Sequence, residues 1–290
     1  MAILYGKELS DQIREEIRQE IQHYPEPPGL AVILIGEDPA SQVYVRNKKK
    51  ACEEVGIASY SYSLPSDIPE DNLLSIIQHL NGNQNVHGIL VQLPLPEHIR
   101  ESRVIEAISW LKDVDGFHPY NVARLFSANP GLVPCTPLGV MGLLERNSIP
   151  IAGRHAVIVG SSYIVGKPLS LLLLNKGATV TVCHKYTKEL AYVTREGDIL
   201  ISAVGKSGLI TRDMVKPGAV VIDIGISFKE GKTVGDVDFD NVLDKVSYIT
   251  PVPGGVGPLT VTMLLKNTLT AYKLQVSAQP SAFSQINREG

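Results

Sequence analysis

Cysteine is scarce in this sequence, and its pattern argues against two kinds of site. Cys52, Cys135 and Cys183 are the only three among 290 residues, they lie far apart, and no Cys-x-x-Cys pair occurs. Such an odd and scattered set argues against a disulfide framework and against a cysteine zinc site, and it suits a reducing compartment. We therefore expect a cytoplasmic protein.

Long apolar runs, a targeting segment and metal-binding motifs are also missing. No apolar run approaches the ~18 residues that a membrane span requires, and the start, MAILYGKELSDQIREE, turns polar too soon for a signal peptide. There is no His-Glu-x-x-His motif and no acidic run with calcium-loop spacing. A net charge of -3 gives no reason to expect nucleic acid or an anionic membrane as a partner. We expect a protein that binds neither a metal nor a membrane.

What the sequence does contain is an α/β pattern that occurs twice. A length of 290 residues suggests two domains of roughly 100–200 residues each. In the first half, apolar strands at 30–35, in ASYSYSL and in GILVQLPLP alternate with two helices. One helix is EDNLLSIIQHLNG, and the other starts with Ser41 as its cap and ends at Gly56. This alternation predicts parallel strands joined by crossover helices.

A second α/β unit is predicted after a split near residues 120–140. Thr136 is expected to cap a helix, with Pro137 in its first turn. The strand HAVIVG, the helix KPLSLLLLNKG and the strands ATVTVC, DILISAV and AVVIDIGI then follow the pattern of a nucleotide-binding domain. VTMLLKNTLTAYKLQ predicts one more helix, and the polar tail VSAQPSAFSQINREG is expected to be loosely held. The predicted fold is two α/β domains, the second a Rossmann-like doubly wound parallel sheet, with a cleft between them.

One lysine interrupts an apolar face of the first predicted helix. At about 100° per residue, Tyr44, Ala51, Cys52 and Val55 share one face, and Lys48 lies inside that stripe. A partly buried lysine has a lowered pKa and can accept a proton near neutral pH. The alternative is a lysine whose stem covers the core while its ammonium group stays in water. Helix geometry alone leaves both interpretations open.

Two polar residues stand where open α/β sheets bind ligands, beyond the carboxyl ends of strands. Gln92 closes the strand GILVQ and can hold a substrate or orient a neighbouring base, although it can equally be an ordinary strand-end glutamine. Asp115 lies before Gly116 in the loop KDVDGFHP. Its carboxylate could bind a ring with adjacent N–H donors, and a simple Asp-Gly turn explains the pair as well.

The loop VIVGSSYIVGKP has the setting of a phosphate site but an incomplete motif. Gly160 and Gly166 are present, whereas the middle glycine of the dinucleotide fingerprint is absent. The loop follows a strand and opens a helix, which suits a phosphate. The next strand ends in His184 and Lys185 without the acidic residue typical of NAD sites, which favours the 2′-phosphate of NADP. A related domain that binds another nucleotide, or none, is the alternative.

The segment PVPGGVGP near the end of the chain is rich in glycine and bounded by prolines. Glycine lets a backbone approach a flat ligand closely, and the same composition also suits a hinge.

Nine segments in this order resemble one known family. They are YVRNKKKAC, GILVQLPLP, KDVDGFHPYN, PCTPLGVM, IVGKPLSLLL, GDILISAVGK, VVIDIGI, GDVDF and TPVPGGVGPLTVTMLL. Between about residue 5 and residue 273 the chain resembles the bifunctional methylenetetrahydrofolate dehydrogenase/cyclohydrolases. The resemblance implies hydride transfer from 5,10-methylenetetrahydrofolate to NADP+, followed by hydrolysis of the methenyl cation to 10-formyltetrahydrofolate.

The resemblance also implies roles for single residues. Lys48 matches the catalytic lysine of the family, and Gln92 matches the glutamine that supports it. Tyr44 matches a tyrosine that stacks on the folate, and Asp115 matches an aspartate that holds the pterin. On the folate side the glycine-rich segment contributes Pro253, Gly254 and Gly255. The residues expected to bind the cofactor are Gly160, Ser161, Ser162, Ile164, Val165, Lys185, Ile226 and Thr136.

The same resemblance predicts which ligand each domain binds. Residues 1–134 are expected to form the folate-binding catalytic domain, completed by a helix at 262–290. Residues 135–261 are expected to form the NADP-binding Rossmann-like domain. The family also implies a homodimer that is both an oxidoreductase and a hydrolase of one-carbon metabolism, with a link to purine biosynthesis.

This chain departs from the family pattern near the expected phosphate site. The family usually reads GRS where this chain has Ser161 in the middle, and it usually reads CHS where this chain ends in Lys185. The missing arginine is a phosphate-binding group, and Lys185 adds a cation in the same region. NADP is the expected cofactor, and NAD is possible.

Two rival functions belong to different classes. One is a monofunctional NAD-dependent methylenetetrahydrofolate dehydrogenase, which would prefer NAD and would not hydrolyse the methenyl product. The other is a folate- or nucleotide-binding protein without catalysis. The joint presence of Lys48, Gln92 and Asp115 argues against the second rival, because a binding module has no need of the lysine.

Overall fold

The structure, a computed structural model, describes residues 2–278. The part of the predicted tail and of the predicted 262–290 helix that lies beyond residue 278 is outside the described residues. The strands are β1 (Ala2–Ile3), β2 (Gly29–Ile35), β3 (Ala58–Leu64), β4 (Gly88–Val91), β5 (His155–Val159), β6 (Thr179–Cys183), β7 (Ile199–Ser202), β8 (Val220–Asp223), β9 (Ser227–Lys229), β10 (Lys232–Val234) and β11 (Tyr248–Ile249). The helices are α1 (Gly6–Ile21), α2 (Pro39–Val55), α3 (Glu70–Gly82), α4 (Glu101–Ala107), α5 (Pro119–Phe126), α6 (Cys135–Arg146), α7 (Gly166–Asn175), α8 (Leu190–Arg195), α9 (Phe239–Val242) and α10 (Gly257–Ala278).

The described chain divides into two compact units. One, the three-stranded unit, consists of residues 16–120 and 264–278, and the other, the six-stranded unit, consists of residues 2–15 and 121–263. The functional division predicted above, with its boundaries at 134 and 261, stays a prediction because it concerns which ligand each part binds.

The three-stranded unit contains the parallel sheet that the alternating pattern predicted. Its strand order is β3-β2-β4, and both pairings are parallel. All seven residues of the central strand β2 are buried, as expected for a strand covered on both faces. Helix α3 buries Leu73, Ile77 and Leu80, which recur at helical spacing, in the same core cluster as Ile33 and Ile89.

The six-stranded unit confirms the doubly wound prediction. Its sheet has the order β1-β11-β8-β7-β5-β6 with every pairing parallel. The chain passes from β5 to β6 on one side and then returns to β7 on the other side of β5. Such a reversal is the position at which open α/β sheets bind ligands, just beyond the carboxyl ends of the strands. A short antiparallel ribbon of β9 and β10 is added between β8 and β11 in the sequence.

Two predicted helix caps are wrong, and the structure gives the reason for each. Helix α2 is capped by Asp38, whose Oδ2 accepts a hydrogen bond of 2.7 Å from the Ser41 N–H. A carboxylate followed by proline in the first turn is a stronger start signal than the serine. Helix α6 begins at Cys135, before Thr136, whose hydroxyl lies 3.0 Å from that of Thr260. The predicted end of α2 at Gly56 is confirmed.

Within residues 2–278, no helix combines the length and the apolar character needed to cross a membrane. The same residues contain no cluster of three or more His, Cys, Asp or Glu side chains that could hold a metal ion. Cys52, Cys135 and Cys183, all in the described part, are buried and form no disulfide.

A buried histidine and a buried lysine, neither singled out from the sequence, brace the three-stranded unit. The Gly29 N–H, at the start of β2, donates a 3.0 Å hydrogen bond to His87 Nδ1. The Lys112 ammonium group donates to the carbonyl oxygens of Leu80 (3.1 Å) and Asn83 (2.8 Å) at the end of α3. Burial lowers the pKa of His87 to about 4, with the charge of Lys112 acting in the same direction. Burial also lowers the pKa of Lys112 to about 8.

We predict that His87 makes folding stability depend on acid pH. The unfolded histidine takes up a proton near pH 6.5, whereas the folded pKa is about 4. Between these values the unfolded state binds more protons, so this contribution to the free energy of unfolding is complete above pH 6.5 and is lost as the pH falls toward 4. Urea unfolding at several pH values should show a smaller acid loss in His87→Gln, whose amide oxygen can still accept from Gly29.

His79→Gln, at an exposed position of α3, is the matched control and should keep the wild-type pH dependence. An identical acid loss in wild type and in His87→Gln would contradict the prediction.

Candidate active site

Helix α2 places Lys48 where its buried face gives way to an exposed end. Ala51, Cys52 and Val55 are almost fully buried, as the stripe predicted. Tyr44, by contrast, is 51% exposed, so the shared face is covered at Ala51, Cys52 and Val55 and open at Tyr44. Lys48, one turn after it, is half-buried. Lys48 is therefore neither fully buried nor fully exposed, and the exposed Tyr44 side chain lies one turn before it.

The Lys48 amine is held by Gln92, the residue that follows β4. Lys48 Nζ donates a 2.9 Å hydrogen bond to Gln92 Oε1. The other end of that amide is also fixed, because Gln92 Nε2 donates to the Leu93 carbonyl oxygen at 2.8 Å. The backbone N–H of Gln92 donates to the Ile33 carbonyl oxygen of β2. A strand end thus orients the amide, and the amide orients the lysine, while the supporting role of Gln92 stays a prediction.

Asp115 is electrostatically coupled to this pair. Its side chain is partly buried, and desolvation raises its pKa to about 6, while the charge of Lys48 opposes this rise and that of Asp113 adds to it. Asp113 has a separate structural contact, since its Oδ2 accepts a 2.8 Å hydrogen bond from the His118 N–H. The two loop aspartates therefore differ in role. Asp113 closes the turn, and Asp115 is a carboxyl group near Lys48.

A cavity of about 680 Å³ opens in the six-stranded unit where the carboxyl ends of β5, β6 and β7 meet. Its size lies within the roughly 300–1,000 Å³ typical of small-molecule sites. Three segments form most of its wall: 159–162 after β5, 184–187 after β6, and Ala203, Val204 and Lys206 after β7. Four of the predicted cofactor residues line it, namely Gly160, Ser161, Ser162 and Lys185.

The two glycines that the motif does contain are required by close backbone contacts. Gly160 has φ +121°, and a Cβ there would lie 2.5 Å from the Ala203 carbonyl oxygen. A Cβ on Gly166 would lie 1.9 Å from the carbonyl oxygen of Gly160. The two glycines let the loop pack against β7 and let α7 start against the loop, so a side chain at either position would displace the wall of the cavity.

The polar groups in the cavity wall suit an anionic ligand. Lys185 and Lys206 both contribute to the lining, and none of the lining residues in the described part of the chain is acidic. The Lys185 amine lies 5.0 Å from the centroid of the exposed Tyr186 ring. Lys206 was missed from the sequence, although it follows β7 as Lys185 follows β6, and the same strand-end rule would have found it.

The other four predicted cofactor residues do not line this cavity. Ile164 and Ile226 are exposed, at 41% and 49%. Val165 directly precedes α7, and its N–H donates a 3.2 Å hydrogen bond to Ser162 Oγ. Thr136 contacts Thr260 instead. Cofactor contacts by these four residues stay predictions.

The glycine-rich segment before α10 is tightly packed in the six-stranded unit. A Cβ on Gly255 would lie 2.5 Å from the Pro251 carbonyl oxygen, and one on Gly6 would lie 1.9 Å from the Gly255 carbonyl oxygen. Gly254 has φ +108°, and its carbonyl oxygen accepts from the Gly6 N–H at 2.9 Å. Pro253 is exposed. These contacts fix the backbone and argue against a hinge, while the predicted folate contacts of Pro253, Gly254 and Gly255 stay predictions.

Comparison with known proteins gives a consistent result for both halves of the chain. The family model described as tetrahydrofolate dehydrogenase/cyclohydrolase, catalytic domain, matches residues 4–115. The model for the NAD(P)-binding domain of the same family matches residues 134–276.

Individual relatives match over nearly their whole length. Bifunctional protein FolD from Aquifex aeolicus is 57% identical and is matched over 93% of this chain and 95% of its own length. The crystal structure of the bifunctional FolD methylenetetrahydrofolate dehydrogenase/cyclohydrolase from Campylobacter jejuni is 52% identical, with a TM-score of 0.93 over 95% of this chain and 99% of that one. The Trypanosoma brucei enzyme, solved with NADP cofactor and inhibitor, is 40% identical, with a TM-score of 0.91 over 96% and 99% of the two chains. This chain therefore belongs to the tetrahydrofolate dehydrogenase/cyclohydrolase family.

Proposed function

We propose that the protein oxidises 5,10-methylenetetrahydrofolate to the 5,10-methenyl form with NADP+ and hydrolyses that product to 10-formyltetrahydrofolate. The observation that carries the proposal is the oriented Lys48–Gln92 pair with Asp115 nearby. A lysine held in this way suits proton transfer from water. The 57% identity to a relative named as bifunctional supports both activities over a monofunctional enzyme or a binding protein.

The folate is proposed to bind through the three-stranded unit. The pterin ring carries an amino group and ring N–H groups side by side, and the two oxygens of an ionised Asp115 can accept from both. The Tyr44 ring is 51% exposed, so one of its faces is available for stacking on an aromatic part of the folate. These two contacts would fix the position of the one-carbon group relative to Lys48.

Lys48 is proposed to take the proton from the attacking water in the hydrolysis step. An uncharged amine has two hydrogens and one lone pair. With one hydrogen donated to Gln92 Oε1, the direction of the lone pair is restricted, so it can be aimed at a water molecule. The charged form, which acts on Asp115 in the free protein, has no lone pair and would repel the methenyl cation, so the proposal requires the uncharged form at the moment when water attacks. Gln92 therefore serves orientation. The lysine accepts one proton from the attacking water and returns it to the departing nitrogen as its bond to the one-carbon group breaks. The remaining hydroxyl proton is released to solvent as the formyl C=O forms.

The cavity of the six-stranded unit fits the proposed cofactor. The side chains of Lys185 and Lys206 suit phosphates, and Gly160 allows a close approach of the backbone. When bound, NADP+ is the oxidant for the first step. The protein's task in that step is positioning, because oxidation of the one-carbon bridge leaves a resonance-stabilised cation and needs no general base.

A direct experiment tests the hydrolytic half of the proposal. Purified protein is mixed with 5,10-methenyltetrahydrofolate in the absence of nucleotide, and the loss of the methenyl absorbance is followed. We expect hydrolysis well above the buffer rate. A rate equal to buffer, from a protein that still oxidises the methylene substrate, would favour the monofunctional alternative.

Lys185 is proposed to carry part of the preference for NADP+ over NAD+, in place of the arginine missing at Ser161. A charge-assisted contact with the 2′-phosphate contributes roughly 1.5–3 kcal/mol. Lys185→Ser should therefore raise the Michaelis constant for NADP+ by about tenfold or more and leave that for NAD+ nearly unchanged. Initial rates of methylenetetrahydrofolate oxidation with each nucleotide measure both constants.

Lys188→Ser is the matched control, because Lys188 is an exposed lysine of the same segment that does not line the cavity. It should leave both constants at their wild-type values. An equal loss for the two nucleotides in Lys185→Ser would show that the lysine does not distinguish the 2′-phosphate.

The remaining properties are proposed from the family resemblance. We propose that the protein is a cytoplasmic homodimer and that its 10-formyltetrahydrofolate supplies one-carbon units for purine biosynthesis. Sedimentation equilibrium of the purified protein would test the dimer, for which a single species of the 31.5 kDa protomer mass would be the contrary result.

A further inference from the structure

A fully buried carboxylate lies behind the β7 side of the nucleotide cavity. Asp236 is 0% exposed and follows β10. Its Oδ2 accepts hydrogen bonds of 2.8 Å from both the Ser202 hydroxyl and the Val204 N–H. Its Oδ1 accepts a 2.6 Å hydrogen bond from the Lys206 N–H. One carboxylate thus joins both ends of the turn that follows β7, and Val204 and Lys206 in that turn line the cavity.

The contacts around Asp236 require a group that only accepts hydrogen bonds. All three partners are donors, and they approach both oxygens, which an ionised carboxylate satisfies and an amide does not. Space around the group is also closed, because a Cβ on Gly225 would lie 2.0 Å from Asp236 Oδ1. Bonds to an ionised acceptor are stronger than neutral ones, so the turn is held firmly.

A second carboxylate fixes the segment that carries Asp236. Asp223, the last residue of β8, accepts from the Asp236 N–H (3.1 Å) and the Gly225 N–H (3.0 Å) through Oδ1. Its Oδ2 accepts from the Val237 N–H at 2.9 Å. The cavity wall is therefore tied through Asp236 and then Asp223 to the central sheet, without any direct contact between these carboxylates and the cavity.

We infer that Asp236 is a positioning residue for the nucleotide, acting through the turn that presents Val204 and Lys206. The inference rests on the proposed function, since it assigns the cavity to NADP+. Asp236 does not line the cavity itself, so its effect must pass through the backbone N–H groups that it binds. If the carboxylate no longer holds the turn, the backbone of Lys206 can shift. The Lys206 ammonium group is then no longer held in place for the anionic ligand.

The test compares Asp236→Asn with Asp238→Asn. Asparagine keeps the size of the side chain but turns an NH2 group toward an N–H donor on one side, so one end of the turn is released. Asp238 is two residues away and bonds to the Asn241 side chain instead, which makes it a matched control. Calorimetric titration with NADP+ gives the dissociation constant, and nucleotide-free hydrolysis of the methenyl substrate reports on the folate side.

We expect Asp236→Asn to raise the dissociation constant for NADP+ by about tenfold or more, with the nucleotide-free hydrolysis rate unchanged. Asp238→Asn should match wild type in both measurements. An unchanged NADP+ affinity in Asp236→Asn would overturn the inference. A parallel fall in both measurements, accompanied by a lower melting temperature, would also overturn it, because it would mean that Asp236 only stabilises the fold.

Ser202→Ala provides a milder variant if Asp236→Asn does not fold. It removes the hydroxyl that holds Oδ2 of Asp236 beside the Val204 N–H, so the carboxylate can turn away from that end of the turn. A selective loss of NADP+ affinity would support the inference, and wild-type affinity would overturn it. Failure of the proposed function is recognised separately, as a wild-type protein that binds NADP+ but neither oxidises nor hydrolyses the folate substrates.

Discussion

Replacing Lys48 with methionine is expected to reduce methenyl hydrolysis by about 10²–10⁴-fold, the usual contribution of a general base. Methionine fills the same half-buried space and packs against Cys52 and its neighbours, so the fold should persist. It has no lone pair basic enough to accept a proton from water. Oxidation of the methylene substrate should fall less, because that step depends on position. Stopped-flow measurement of methenyl decay, with circular dichroism as a check of folding, gives the result.

Lys49→Met is the matched control for this experiment. Lys49 is the next residue of α2 and is exposed, so its loss should leave hydrolysis at the wild-type rate. If Lys48→Met retains hydrolysis within a few-fold of wild type, Lys48 is a lysine that only covers the core with its stem. The proton acceptor would then have to be another group.

Asp115→Asn is expected to weaken folate use in both half-reactions, by about tenfold to a hundredfold in the Michaelis constants. The amide keeps one accepting oxygen but directs an NH2 group at the N–H donors of the pterin. The Michaelis constant for NADP+ should stay the same. Steady-state kinetics of each half-reaction, with the folate substrate varied, measure the effect.

The raised pKa of Asp115 adds a pH dependence to this prediction. With a pKa of about 6, the carboxyl group becomes protonated as the pH falls below that value, and one of its oxygens then donates instead of accepting. In wild type the Michaelis constant for the folate should therefore rise below pH 6, and in Asp115→Asn this rise should be absent. Asp67→Asn, at an exposed position, should behave as wild type. Unaltered folate kinetics in Asp115→Asn would mean that Asp115 is merely a turn residue.

The sequence was sufficient to predict the elements that carry the site, since each rests on local periodicity or on a strand end. Helical spacing identified Lys48 as the lysine inside the apolar stripe of α2, and the strand-end rule identified Gln92. Their hydrogen bond could not be predicted from spacing, because the residues are 44 apart and meet only through the packing of α2 on the sheet. The resemblance to a family supplied the roles, and the role of Gln92 as support for Lys48 stays a prediction.

Errors and omissions arose where a neighbouring residue, or a contact made only in the folded chain, overrides the local sequence pattern. Ser41 and Thr136 are residue types that commonly cap helices. In the structure the N-cap positions are Asp38 and Pro134, so both helices begin earlier. Tyr44 belongs to the stripe by angle, yet it lies in the first turns of α2, where the face is no longer covered. Lys112 and Asp236 were overlooked because a charged residue is ordinarily exposed. Only in the folded chain do carbonyl oxygens lie around the Lys112 amine and N–H donors around the Asp236 carboxylate.

The central claim is that one protein performs oxidation and hydrolysis in sequence, and a single progress curve tests it. Wild-type protein is mixed with 5,10-methylenetetrahydrofolate and NADP+, and reduced nucleotide, methenyl and 10-formyl products are followed together. We expect reduced nucleotide and 10-formyltetrahydrofolate to accumulate in equal amounts, with methenyltetrahydrofolate only as a transient species. Accumulation of methenyltetrahydrofolate that decays at the buffer rate, or no reduction of NADP+, would contradict the two-step proposal.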